Sequence, residues 1–137
     1  NKMGNDGFKL ATIIHPKSKI GNNVKISKGV QIKMGAIIED NVIIGKGSWI
    51  QAYAHIKESV HISEYCQISA KAIIQDNSKL EKNVFIGMHA SIAKNLFIKQ
   101  YAIISMGANV LSNILTEQVC MGNPARVISL NKKHRVF

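Results

Sequence analysis

An all-β coiled solenoid is the fold class this sequence predicts, and two features of its repeat carry the prediction. Every sixth residue from Ile14 to Ile104 is a branched aliphatic: Ile14, Ile20, Ile26, Ile32, Ile38, Ile44, Ile50, Ile56, Ile62, Ile68, Ile74, Leu80, Ile86, Ile92, Ile98 and Ile104. A helix, with a period of about 3.6, and an ordinary strand of period two do not demand one bulky apolar residue at strict six-residue spacing, whereas a coiling chain does. Four residues further on, small or apolar side chains repeat the message, among them Val24, Val42, Cys66, Ala90 and Ala108, with Ser18, Ser48 and Ser78 the polar members. Two of every six residues therefore point inward.

This hexapeptide repeat resembles the left-handed parallel β-helix of the hexapeptide acyltransferases over nearly the whole chain. The resemblance implies three hexads per triangular coil, each a short strand and a corner, in a prism about five coils tall with about 4.8 Å between coils. It alone implies the left hand, because crossovers between parallel strands are otherwise overwhelmingly right-handed. The chain then divides into a lead-in over 1–13, a β-helix over 14–110 and a C-terminal loop and tail over 111–137. In the lead-in, Phe8-Lys9-Leu10-Ala11-Thr12-Ile13-Ile14-His15-Pro16 resembles the junction before the β-helix in the sialic acid O-acetyltransferase-like and bacillosamine-pathway sugar acyltransferases. In that family a small α/β domain precedes the junction and helps to hold the nucleotide sugar. With Asn1 in first place, the chain reads as a processed chain or a fragment lacking that domain.

Within the β-helix, 46% hydrophobic residues in 137 allow one domain with a continuous thin core. No apolar run approaches the roughly 20 residues that span a bilayer, and Asn1 to Phe8 lack the apolar stretch of a signal peptide, so the expected location is cytoplasmic. Cys66 on an inward position and Cys120 near the end read as a packed and a solitary thiol rather than a disulfide or metal site. The formal charge is +10, but the lysines are scattered rather than gathered in a stripe with aromatics, which argues against nucleic acid. A positive field favours an anionic ligand such as coenzyme A or a nucleotide sugar.

Outward positions differ from face to face. The residues just before the aliphatics are Gln31, Trp49, Gln67, Phe85 and Ile103 on a first face, Lys19, Ile37, His55, Ile73 and Ser91 on a second, and Lys25, Ile43, His61, Lys79 and Phe97 on a third. The corner between the first two is built from Met34-Gly35, Ala52-Tyr53, Ala70-Lys71, Met88-His89 and Met106-Gly107, while the other two are rich in Asn, Asp, Glu and Lys. One dry corner among wet ones predicts an oligomer interface, which the resemblance makes that of a homotrimer. Scattered surface hydrophobics are the alternative.

After the coils, Met121-Gly122-Asn123-Pro124-Ala125-Arg126-Val127-Ile128 resembles the Gly-Asn-Pro-Ala-Lys/Arg signature that follows the last coil in many hexapeptide acyltransferases. There the loop closes over the coenzyme A tail, which makes Gly122, Asn123, Pro124, Ala125 and Arg126 candidate donor-binding residues, Arg126 as a bidentate phosphate partner. Gly-Asn-Pro is equally a strong turn. Just after the first-face aliphatics, Ser69, Gly87 and Ser105 stack in successive coils. By the resemblance they leave a groove for a pantetheine arm and its amide hydrogen bonds, or else room for a neighbouring subunit.

The catalytic His of several relatives falls on Glu58, and further pocket residues fall on Gln67 and Gln51. Asn22, Asp40 and Asp76 share the corner place of Glu58, so it is either a base or a wet corner. His55 and His61 flank that corner, and an imidazole with an unperturbed pKa near 6.5 suits proton removal. His89 belongs to the dry corner, His15 to the lead-in and His134 to the tail, and no pair has zinc spacing, so no metal is expected. The resemblance implies an acyltransferase that uses acetyl-CoA to acetylate an amino or hydroxyl group of a nucleotide-linked sugar, with His55 and Glu58 as candidate catalytic residues. The alternative is a catalytically degenerate β-helix acting as a binding or assembly module.

Overall fold

A computed structural model describes residues 11–136. Residues 1–10, which hold most of the expected lead-in and the Phe8 to Leu10 part of the junction, and Phe137 lie outside the described residues. Each inward aliphatic ends a two-residue strand, from Ile13–Ile14 to Asn109–Val110. Strands pair in parallel with partners eighteen residues away, Ile14 with Ile32 and Ile32 with Ile50, so that three hexads close one coil. The three faces are sheets of eight, six and five strands, giving about six turns rather than five. The hexad, not the total length, sets the coil, and the extra layer comes from residues past the last regular hexad.

Corners form because the third residue after each aliphatic from Ile20 to Ile104 takes a left-handed backbone, with φ between 55 and 77°. Gly35 and Gly47 and the asparagines 23, 41, 77, 83 and 95 adopt it readily, whereas Tyr53, Ser59, Tyr65, Lys71, His89 and Tyr101 do so at a cost of about 1 kcal/mol each. The corner amides then form ladders: Tyr53 N donates to Met34 O at 3.1 Å and Lys71 N to Ala52 O at 3.1 Å. At Gly47 a Cβ would lie 2.5 Å from the Tyr65 ring, so glycine in one coil makes room for an aromatic corner in the next.

The core is a single file of aliphatics, fully buried from Ile32 to Ile104, with Val, Ala and Cys between them. Ser48 and Ser78 are buried on inward positions and are satisfied by backbone: Ser48 Oγ donates to Ser63 O at 2.9 Å and accepts from Cys66 N at 3.1 Å, and Ser78 Oγ donates to Ala93 O at 2.7 Å. Ile14 and Ile20 keep the inward register but remain 42% and 38% exposed in the end layer.

Stacking continues beyond residue 110, where the six-residue spacing ends. Ile114 bridges to Ile98 and Cys120 pairs with Ile104, each sixteen residues apart in place of eighteen. The corner after Val110 is two residues short, which hides this last coil from a hexad count. Gln118–Met121 then turns back as an antiparallel hairpin with Arg126–Leu130 at the top of the first face.

Candidate functional site

A groove of about 980 Å³ runs up the first face beside the dry corner. Phe85, Ile103 and Val119 are apolar residues along it, Met88 and Met106 edge it at the corner, and Ile128 with the tail lines it further out. Ser69, Gly87 and Ser105 all line it. Gly87 has a reason of its own: a Cβ there would lie 2.5 Å from Met106 N and 2.7 Å from Ser105 C, so the next coil excludes any side chain. Their amides are already engaged in stacking, Ser69 N to Ile86 O at 2.9 Å, Gly87 N to Ile104 O at 2.7 Å and Ser105 N to Cys120 O at 2.9 Å. The expected amide bonds to a ligand therefore cannot come from this column. The amides of Met88 and Met106, one residue on, donate to no acceptor among the described residues and are the backbone donors left at this wall.

The loop at 122–126 caps the second face. Asn109 N donates to Gly122 O and Ala125 N to Asn109 O, both at 2.9 Å, while Asn109 Nδ2 donates to Asn123 Oδ1 at 3.0 Å. Gly122 has a φ of 97° and the Asn123-Pro124 bond is cis. Gly122, Asn123, Pro124, Ala125 and Arg126 are not among the groove's lining residues, and the Arg126 guanidinium donates to the carbonyl of Ala125 at 3.3 Å. The cations that do line the groove are Lys132, Lys133 and Arg135, all in the C-terminal tail. Their clustering in Lys132-Lys133-His134-Arg135 is the signal that could have found them.

His55 sits half-buried on the second face, its Nε2 2.6 Å from Glu39 Oε2, with Lys57 Nζ 3.6 Å from the same oxygen. Glu39 follows Ile38 and His55 precedes Ile56, and the pairing of Ile37 with His55 sets them diagonally across adjacent coils. A carboxylate on Nε2 favours the tautomer that keeps its proton there, which leaves the Nδ1 lone pair as a base. Glu58 is exposed and joined to His55 by no hydrogen bond or ion pair, and His61 is exposed on the third face. The two candidate catalytic residues, His55 and Glu58, are thus not joined, and the carboxylate paired with His55 is that of Glu39. Within one chain His55 and the groove lie on adjacent faces that meet at the dry corner.

The thiols have a structural setting. Burial pushes Cys66 up to about 12 and also raises Cys120, so neither is a thiolate nucleophile at neutral pH. No group of three or more His, Cys, Asp or Glu able to hold a metal occurs among the described residues. No helix there is long and apolar enough to cross a membrane.

No family model and no curated protein matches the sequence. Solved structures match the fold. WeeI from Acinetobacter baumannii AYE is 26% identical with a TM-score of 0.90, over 93% of this chain and 62% of its own. PerB from Caulobacter crescentus, solved with CoA and GDP-perosamine, is 22% identical with a TM-score of 0.67, over 93% of this chain and 62% of its own. AntD, an N-acyltransferase from Bacillus cereus solved with dTDP and 3-hydroxybutyryl-CoA, is 21% identical with a TM-score of 0.83, over 96% and 88%. The chain spans about three fifths of the length of WeeI and PerB. It is a β-solenoid of the hexapeptide-repeat type, with the left-handed fold of these neighbours.

Proposed function

We propose that the chain is an acyl-CoA-dependent acyltransferase that acetylates an amino or hydroxyl group of a nucleotide-linked sugar and works as a cytoplasmic homotrimer. The observation that carries this reading is the groove beside the dry corner, where the Ser69, Gly87 and Ser105 column, the unspent amides of Met88 and Met106 and a cationic tail line one apolar channel. Its apolar lining and cationic edge suit an extended thioester ending in phosphates, and two neighbours of the same fold are solved with CoA or an acyl-CoA. The dry corner supports the trimer, since Met34, Tyr53, Met88 and Met106 stand 41 to 70% exposed along one line. In such a trimer the second face of one subunit would approach the groove of the next, bringing His55 to the thioester.

The reaction is direct attack. The acceptor N–H or O–H gives its proton to His55 Nδ1, the freed lone pair bonds to the thioester carbonyl carbon, and an amide of the corner holds the oxyanion. Collapse re-forms the carbonyl and breaks the C–S bond, and the thiolate of CoA leaves and takes up the proton. Glu39 keeps the imidazole in the required tautomer, and Glu58 remains the substitute base. Single-turnover assays with acetyl-CoA and nucleotide-linked amino sugars test this. His55→Ala should lower turnover by about 100-fold or more with donor affinity retained, and Glu39→Gln by about tenfold. Unchanged turnover in His55→Ala would remove it from the mechanism.

A second reading, a binding or assembly β-helix without chemistry, is favoured by the exposed and unpartnered Glu58 where the resemblance expects the catalytic His. Donor binding without turnover on any nucleotide-linked sugar would select it.

A further inference from the structure

Residues 131–136 do not trail from the fold. Asn131 Nδ2 donates to Tyr101 O at 3.0 Å and Asn131 N to Glu117 O at 2.6 Å, the His134 ring stacks on Tyr101 with centroids 3.8 Å apart, and His134 Nε2 pairs with Glu117 Oε2. These ties hold the segment against the first face, where Lys132, Lys133, Arg135 and Val136 line the groove. Lys132 is partly neutralised, its Nζ lying 3.7 Å from Glu117 Oε1, but Lys133 and Arg135 have no carboxylate partner among the described residues. Two uncompensated cations beside an apolar channel form a site for a ligand with an apolar body and an anionic end.

We propose that this segment is the phosphate-binding wall of the groove, with Lys133 and Arg135 taking the 3′-phosphate and diphosphate of coenzyme A, the role that the family resemblance implies for Arg126. The assignment rests on the acyl-CoA reading above. Arg135 supplies a planar fork that matches phosphate oxygens and Lys133 a mobile point charge. The ties through Asn131 and His134 fix both before the ligand arrives, which lowers the ordering cost of binding.

The test is calorimetric titration of coenzyme A and dephospho-coenzyme A into the wild-type chain, into Lys133→Gln/Arg135→Gln, and into a control with the same charge change at the far end, Lys25→Gln/Lys28→Gln. The wild type should prefer coenzyme A, and the tail variant should lose that preference with a Kd raised about tenfold or more, as expected for lost charge-assisted bonds. The control should match the wild type at equal salt. All three should melt at the same temperature, because the substituted side chains are exposed. If the tail variant and the control bind coenzyme A alike, the phosphates lie elsewhere and the proposal fails while the acyl-CoA reading stands. If the wild type binds neither ligand at millimolar concentration, that reading fails and takes the proposal with it.

Discussion

Glu117 shows how far one side chain can set the state of the tail. The hydrogen bond from His134, helped by the charge of Lys132 and opposed by partial desolvation, holds its carboxyl below the usual carboxylate range. A group lowered in the folded state stabilises at pH values above its unfolded pKa, near 4.3, and that contribution is lost as pH falls through the lower folded value. The tail should therefore loosen on acidification, at pH values below the ordinary glutamate range. Amide exchange at residues 131–136 should accelerate there in the wild type, whereas Glu117→Gln should exchange fast already at neutral pH. Equal protection in both would show that the latch holds nothing. Much of this scale was illegible in the sequence. The outward direction of His55 followed from its place before Ile56, but Glu39 stands sixteen residues back, diagonal to the column, and His134 meets Glu117 through a turn no repeat describes. The reason for Gly87 was hidden as well, because the intruding atoms belong to the backbone of the next coil.

At the scale of the hexad, the sequence was nearly transparent, because the repeat itself is the packing instruction. Each aliphatic sits between its equivalents one coil above and below, and its cost of removal depends on whether both are present. Ile68→Ala, in mid-stack and fully buried, should destabilise by about 2–5 kcal/mol, whereas Ile14→Ala, exposed in the end layer, should cost less than about 1 kcal/mol. Chemical denaturation of the two variants measures the difference, and equal losses would mean that the ends are as tightly packed as the middle. The terminal coil shows why legibility ran out. A corner shortened by two residues moves Ile114 and Cys120 off the six-residue count and puts Thr116 on it, although both still stack on the core. Composition could mark corners as wet or dry, but only the backbone shows that Lys71 and His89 hold a conformation better suited to glycine or asparagine.

For the whole molecule, the groove lies beside the dry corner and the cationic tail lines it, while the corner that carries Asp40, Glu58 and Asp76 lies between the second and third faces. The formal charge of +10 adds a field that draws anions towards the protein, an effect salt weakens. On the proposed reading, the apolar channel takes an extended thioester, the cationic tail its phosphates, and His55 on the neighbouring face is the base. The central claim of that reading is that this channel is the donor site. Titration of coenzyme A against the wild type and against Ser105→Trp, which places an indole in the channel from a half-buried position, tests it most directly. The account predicts saturable binding to the wild type, with about 2.7 kcal/mol of added stability at 100 times Kd, and no binding to a Ser105→Trp variant that still melts like the wild type. Equal binding by both proteins, or none by the wild type at millimolar ligand, would contradict it.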